Sequence, residues 1–354
     1  MSIIDSLLYA YATVKGLVMS WVLLPIAITS AFTSGGLLRL VTAPFSGGYF
    51  EKELAAVDKA PAGLGRIHFL STGAGDAILL ESDGHFALID SAEDYENPKE
   101  IPSYVYDGYE LYVADYVKRA AGGHLDFVLG THTHSDHMGG FDTLILDPEI
   151  TVDRAYLKQY HDENMYGYEQ YWDNQVMYDN MLNACKARGV EVVQENLNHR
   201  ELTLGNMNLK LFNGDVNPKQ KDENGASLCT LVELGGKRAF LAGDLLNNIG
   251  DENRLIKEIG GTLDLLKAGH HGYEGSSTGG FLAQLKPASV VFTNASNSKV
   301  HFTVKNRCVS ISNSKLMTTG AFGGVLAVFG EDGMEYYAIG EFPSGISGVD
   351  VELK

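Results

Sequence analysis

Cysteine is scarce: Cys185, Cys229 and Cys308 are the only three in 354 residues. They are too few and too widely spaced for a disulfide framework or a CxxC zinc site, and they read as small buried hydrophobes. Basic residues are scarce as well, with 27 Lys and Arg against 45 Asp and Glu, a formal charge of −18. Affinity for a nucleic-acid backbone comes mostly from Lys and Arg neutralising phosphates, so a general basic surface is excluded and no nucleic-acid partner is expected. The deficit is local. Residues 1–60 hold Asp5, Glu51, Glu53 and Asp58 against Lys15, Arg39, Lys52 and Lys59, which cancel, so the whole excess lies in residues 61–354. What is present is an ordinary globular composition, 45% hydrophobic and 20% charged, sufficient for a sizeable core.

Formal charge is missing altogether between Lys15 and Arg39, a stretch of 23 residues that includes LVMSWVLLPIAIT from Leu17 to Thr29. A bilayer span needs roughly 17 to 25 residues. Pro25 and the small polar TSGG that follows fit a secretory signal or signal anchor equally. Residues 1–38 therefore read as a signal or anchor segment, with membrane contact through residues 16–38 and an extracellular or membrane-anchored location. The alternative is an apolar helix packed on the domain or on a second copy, which makes the protein cytoplasmic. Residues 39–64, rich in Gly, Ala and Pro, read as a linker, and residues 65–354 as the folded domain.

Within that domain RIHFLST, DAILLES and FALIDS read as a meander of strands with a hairpin at Asp83-Gly84. Helical spacing from Tyr109 to Ala121 stops at Gly122-Gly123, and a second helix from Tyr171 to Arg188 stops at Gly189. Further hairpins turn at Gly205-Asn206 and Gly235-Gly236. A helix around Asn253 to Ile259, the strand LDLLKAG, a short helix before Pro287 and the strand SVVFT follow. The order predicts an α+β fold of two sheets, each covered by helices on its outer face: a four-layer αββα sandwich.

Metal-ligand chemistry stands at the strand ends. DFVLG runs into THTHSDHMGG, where period-2 alternation puts His132 and His134 on one side and places Asp136 and His137 in the turn that follows. Two imidazoles, then a carboxylate and an imidazole, make two adjacent pockets for a borderline metal such as zinc. AFLAGDL ends another strand with Asp244, where one carboxylate can bridge two ions, and LDLLKAGHHG ends a third with His270 and His271.

HxHxDH, Gly-Asp after a buried strand and the later KxxHHG together resemble the metallo-β-lactamase superfamily, over about residues 66–340. The resemblance implies a binuclear zinc site, two Zn2+ per chain, along one edge of the sandwich. It also makes Asp76, Asp90 and Asp126 carboxylates that orient the ligands. One departure matters: most members carry a further metal-binding His upstream of the bridging Asp, where this chain has DENGASLCTLVELGG with Asn224 and Ser227. The first ion is then held by His132, His134 and Asp244 with a position left for water or substrate, or is reached by His270 or His271. Asp136, His137, Asp244 and one of His270 and His271 hold the second. The same departure occurs in competence-type DNA-uptake proteins and in phosphorylcholine esterases of teichoic acid. Through VDRAYLKQY, YWDN and LLKAGHH this chain resembles the esterases more.

Twelve of the 18 tyrosines lie between Tyr95 and Tyr178, with Trp172 among them. Aromatic faces hold quaternary ammonium groups, so Tyr156, Tyr160, Tyr166, Tyr168 and Trp172 are expected to form a choline pocket beside the metals. The expected activity is zinc-dependent hydrolysis of a phosphodiester, releasing phosphorylcholine from a cell-surface glycopolymer. Asp136, His270 and His271 are the catalytic candidates; whichever of the two histidines is not a ligand contacts the phosphoryl group or protonates the leaving group. The competing readings are a competence-type phosphodiesterase or nuclease, a hydrolase of another ester class, and a non-enzymatic metal-stabilised binding domain.

Overall fold

A two-residue turn at Asp83-Gly84, with φ of +54° and +79°, closes the first hairpin as its residues predict. The computed structural model describes residues 49–61, 65–94, 107–165, 167, 169 and 172–345; residues 1–48, which carry the apolar run, lie outside these, as do Tyr166 and Tyr168. In chain order the strands begin with β1 (Ala55–Ala56), β2 (Arg66–Phe69), β3 (Ile78–Ser82) and β4 (His85–Ile89). They continue with β5 (His124–Leu125), β6 (Phe127–Leu129), β7 (Thr151–Val152), β8 (Arg154–Tyr156) and β9 (Glu191–Val193). A second series follows: β10 (Glu201–Leu204), β11 (Met207–Phe212), β12 (Cys229–Leu234), β13 (Lys237–Leu241), β14 (Leu265–Lys267), β15 (Ser289–Phe292) and β16 (Lys315–Thr318). The chain then returns to the first sheet with β17 (Val325–Phe329) and β18 (Met334–Ala338).

The first sheet has the order β1-β18-β17-β2-β3-β4-β6-β8-β9, the second β10-β11-β12-β13-β14-β15-β16, and β5 pairs with β7 alone. Each large sheet has an antiparallel part, β18-β17-β2-β3-β4 and β10-β11-β12-β13, and a parallel part, from β4 to β9 and from β13 to β16, with β1 added parallel to β18. Parallel neighbours need crossovers. Helices α1 (Glu110–Ala121), α2 (Ser135–Met138), α3 (Phe141–Leu146) and α4 (Asn174–Arg188) supply them on the first sheet. Helices α5 (Asp251–Ile259), α6 (Gly279–Leu285) and α7 (Phe302–Ser312) do so on the second.

Alternation along the strands sorts the side chains into layers. Ile67, Phe69, Ile78, Leu80, Phe127 and Leu129 point inward to meet Leu209, Leu211, Val232 and Leu241 between the sheets. Their neighbours Leu79, Leu88 and Val128 point outward to pack on Val113 and Val117 of α1, Phe141 of α3 and Met177 of α4. On the far side Phe240 of β13 packs on Phe281 of α6, the rings tilted by 53° and their centroids 6.1 Å apart. These are the four layers of the expected αββα sandwich. Each fully buried Leu or Phe contributes roughly 1.5–3 kcal/mol.

Part of the segment read as a linker is built into this body. Phe50 is buried and bridges Leu316, and β1 pairs with β18. Among the described residues no helix is long and apolar enough to cross a membrane.

The parallel halves fix the location of chemistry. The C-terminal ends of β4, β6, β13, β14 and β15 lead directly into Asp90, His132, Asp244, His270-His271 and Thr293, and α/β sheets bind ligands at such ends.

Candidate metal centre

Asp90 follows β4 in the left-handed region, with φ +57°. Its carboxylate accepts the backbone N–H of Thr131 at 2.8 Å, the Thr131 hydroxyl at 2.7 Å and Nδ1–H of His137 at 2.7 Å. A proton on Nδ1 leaves the lone pair on Nε2, which points into the site. His271 is set the same way from the other sheet. The Thr293 hydroxyl spends its proton on Asp76 Oδ1 at 2.5 Å, so it accepts from Nδ1 of His271 at 3.1 Å. The Nε2 atoms of His137 and His271 therefore face each other at 3.2 Å, both as acceptors.

Two carboxylates close this group. Asp244 places Oδ1 3.2 Å from His137 Nε2 and Oδ2 3.1 Å from His271 Nε2, and Asp136 Oδ2 lies 3.2 Å from His271 Nε2. Donor atoms of Asp136, His137, Asp244 and His271 all lie within 4.8 Å of one another. Burial disfavours the charged imidazoles, but Asp244 and Asp136 push His137 and His271 well above their ordinary range. Burial would likewise raise Asp244, yet His137, His271 and Lys267 hold it well below the usual carboxylate range. Two nitrogens and two carboxylates demanding positive charge in a dry pocket fit a borderline divalent cation.

A second facing pair adjoins the first. Thr131 Oγ1, its proton given to Asp90, accepts from His132 Nδ1 at 3.0 Å, while His134 Nε2 meets Glu169 Oε2 at 3.0 Å. The remaining nitrogens, Nε2 of His132 and Nδ1 of His134, face each other at 3.1 Å. Burial lowers both pKa values, prevailing at His132; at His134 the Glu169 carboxylate wins and lifts the ring to about 9. Among the described residues neither histidine has a third His, Cys, Asp or Glu donor grouped with it as tightly as in the first set. In the segment where the resemblance leads one to look for a further histidine, Ser227 Oγ lies 3.4 Å from His132 Nδ1 and accepts the backbone N–H of Asp244 at 2.9 Å. The buried Oδ1 of Asn224, which lines the same cleft as His134, has no hydrogen-bond partner.

The geometry divides the two late histidines. Both have positive φ, +46° and +49°, and the turn swings His271 into the donor set. His270 lines the cleft, its Nε2 4.0 Å from Asp244 Oδ2. Gly272 (φ +83°) permits this turn: a Cβ there would lie 2.5 Å from the Phe292 ring.

Lys267 was not read from the sequence as a site residue. It is fully buried, and its ammonium lies 2.6 Å from Asp76 Oδ2, 3.2 Å from Asp244 Oδ1 and 2.8 Å from the Gly243 carbonyl. Glu169 and Glu223 were missed as well. Glu169 orients His134, and Glu223 accepts the N–H and hydroxyl of Thr133 at 3.0 and 2.9 Å.

Three expectations are corrected. Asp126 precedes β6, at the end away from the metals, and accepts from His85 and from the Phe86 N–H rather than orienting a ligand. Tyr156 is buried between the sheets, edgewise on Phe127 at 5.5 Å. Tyr160 is buried against Tyr178 and bonds Asp162 at 2.7 Å. Neither tyrosine reaches the metal cleft. Trp172 does, lining a cleft of about 800 Å3 with Tyr109, Tyr273, His270 and Lys299; Tyr166 and Tyr168 lie outside the described residues.

The model of the metallo-beta-lactamase superfamily matches residues 70–293, more than half of the chain. This chain belongs to the metallo-β-lactamase superfamily. Its members are mostly metal-dependent hydrolases. ComE operon protein 3 of Bacillus subtilis (strain 168) is 24% identical over 180 residues, which cover 50% of this chain and 21% of that protein. The match thus spans about a fifth of that relative's length. Among solved structures, the metallo-beta-lactamase fold protein YhfI from Bacillus subtilis has a TM-score of 0.45 at 11% identity, over 72% of this chain and 96% of that one. CmlA, a diiron beta-hydroxylase from Streptomyces venezuelae, has a TM-score of 0.45 at 12% identity, over 73% of this chain and 53% of that one.

Proposed function

We propose that this superfamily member is a zinc-dependent phosphodiester hydrolase that releases phosphorylcholine from a cell-surface glycopolymer or a related choline diester. One observation carries the reading. The cleft over the metal donors sets Tyr109, Trp172 and Tyr273 among five carboxylates, with Lys299 the sole Lys or Arg of its lining among the described residues. Burial, with Asp136 and Asp94 close by, pushes Glu93 well up, while exposed Asp107, two residues before Tyr109, also lines the cleft. Aromatic faces and a carboxylate suit a quaternary ammonium, while such a cleft disfavours a polyanion.

Asp136, His137, Asp244 and His271 hold one ion; His132 and His134, with Asp244 or Asn224, hold the other. Zinc bound there lowers the pKa of water towards neutrality and offsets the charge of phosphoryl oxygens. Asp90, Thr131, Thr293 and Glu169 keep the four ligating rings in the tautomers that metal binding requires. Lys267 anchors Asp244 from behind. His270, on the cleft wall, is placed to take the proton released by the attacking water and pass it to the oxygen of the departing alcohol. An extracellular or membrane-anchored location, through residues 16–38, accords with this substrate.

Parallel turnover of p-nitrophenyl phosphorylcholine, bis-p-nitrophenyl phosphate and a chromogenic β-lactam tests the reading. The choline diester is expected to react fastest, to stop reacting on chelation and to recover with zinc. Equal turnover of the unsubstituted diester contradicts choline specificity, and turnover without metal contradicts the whole scheme.

A further inference from the structure

Asp126 belongs to a different cluster. The strands that end at the metal centre begin at the opposite end of the first sheet, where β5 and β7 pair His124 with Thr151 and Leu125 with Val152. The next residue of each strand is an aspartate, held by its backbone: the N–H of Asp126 donates to Phe86 O at 2.8 Å and that of Asp153 to Leu125 O at 3.1 Å. Four side chains converge on this point.

The Nδ1 atom of His85 lies 2.7 Å from Asp126 Oδ1, and Nε2 of His124 lies 3.6 Å from Asp153 Oδ2. The Thr151 hydroxyl donates to the Gly123 carbonyl at 3.4 Å, so it accepts from Nδ1 of His124 at 3.0 Å. That leaves Nε2 of His124 turned towards the carboxylates. One donor atom each from His124, Asp126 and Asp153 all lie within 4.8 Å of one another.

We infer that His124, Asp126 and Asp153 form a second metal site, remote from the catalytic cleft, which takes a borderline divalent ion such as Zn2+ with His85 clamping Asp126. The chemistry is that of an imidazole and two carboxylates, with water completing the coordination. Bonds of 2.0–2.2 Å place tetrahedral donors about 3.3–3.6 Å apart. The four side chains are 28–64% exposed and free to close that difference by rotation. The second Asp126 oxygen accepts the Phe86 N–H at 3.0 Å, so one carboxylate is orientated from both sides, as ligating carboxylates usually are. An ion here ties β4, β5 and β7 together where the crossovers from α1 and α3 return, so it acts as a brace and not in catalysis.

Equilibrium dialysis of the full chain against micromolar zinc, followed by elemental analysis, reads the site directly. His124→Gln and Asp153→Asn are each expected to bind one ion fewer per chain than wild type, with turnover of the phosphodiester unchanged. The zinc-dependent rise in melting temperature should shrink in both. Being exposed, neither residue is needed for folding, and circular dichroism of the variants confirms this independently. Equal zinc content in wild type and both variants overturns the inference. So does a lost ion accompanied by lost turnover, which assigns the missing ion to the catalytic centre instead.

Discussion

His137 and His271 come from different sheets, and their Nε2 atoms face each other at 3.2 Å with the opposite nitrogens committed to Asp90 and Thr293. Two acceptors held that close need a cation between them or a proton on one. An ion bound between them would link the two halves of the sandwich. A ligand at 1,000 times its dissociation constant stabilises the folded state by about 4 kcal/mol, so chelation should lower the melting temperature by several degrees and zinc should restore it. A melting curve insensitive to chelator and zinc rejects this link.

The Asp90 carboxylate fixes the tautomer of His137 while touching no proposed ion. Asp90→Asn retains the size but loses the charge that stabilises Nδ1–H. Metal affinity is expected to fall about 10- to 100-fold, as for other partners of ligating histidines. Competition with a chromophoric chelator measures it, and unchanged affinity shows that Thr131 suffices without the carboxylate.

Lys267→Met removes an ammonium that lies against both buried Asp76 and Asp244. Losing one partner of a buried ion pair costs about 3–5 kcal/mol. Urea denaturation of chelated protein should show that loss, and zinc should recover part of it. A loss below about 1 kcal/mol means the carboxylates take up protons instead.

Away from the metals, Glu81 accepts from His68 at 3.0 Å and from Arg66 at 3.4 Å. Burial raises the Glu81 pKa, but His68 and Arg66 outweigh it and the carboxyl is held below its ordinary range. Its folded value is below its unfolded one, so its contribution is present above the unfolded pKa and is lost as pH falls through the folded pKa. Glu81→Gln should cost on the order of 1 kcal/mol at pH 7 and nothing at pH 2–3. An equal cost at both pH values assigns the effect to packing.

Sequence patterns carried the layers and the gathering of candidate ligands at strand ends because both depend on local rules. Period-2 alternation set which strand residues face inward, and His132, His134, Asp136, His137 and Asp244 sit directly after strands whose ends converge. That same rule takes Tyr156 out of the expected choline pocket: along β8, Ala155 faces the helices and Tyr156 faces the other sheet, so Tyr156 is core. Asp126 was misplaced because proximity to THTH along the chain is not proximity in space when a strand intervenes. Lys267 and Glu169 were illegible since their partners, Asp76 and His134, lie 191 and 35 residues away along the chain. The division between His270 and His271 rests on two consecutive positive φ values, which no residue-type preference announces.

The most direct test of the proposed activity compares kcat/KM for p-nitrophenyl phosphorylcholine and its uncharged 3,3-dimethylbutyl isostere on the zinc-loaded protein. The leaving group and phosphoryl chemistry are identical, so only the cation differs. Each cation–π contact contributes roughly 0.5–2 kcal/mol, and 1.4 kcal/mol is tenfold. The choline diester is expected to be favoured by about tenfold or more, and both rates should vanish on chelation. Equal kcat/KM for the two substrates, or turnover that persists in the chelated protein, contradicts the account.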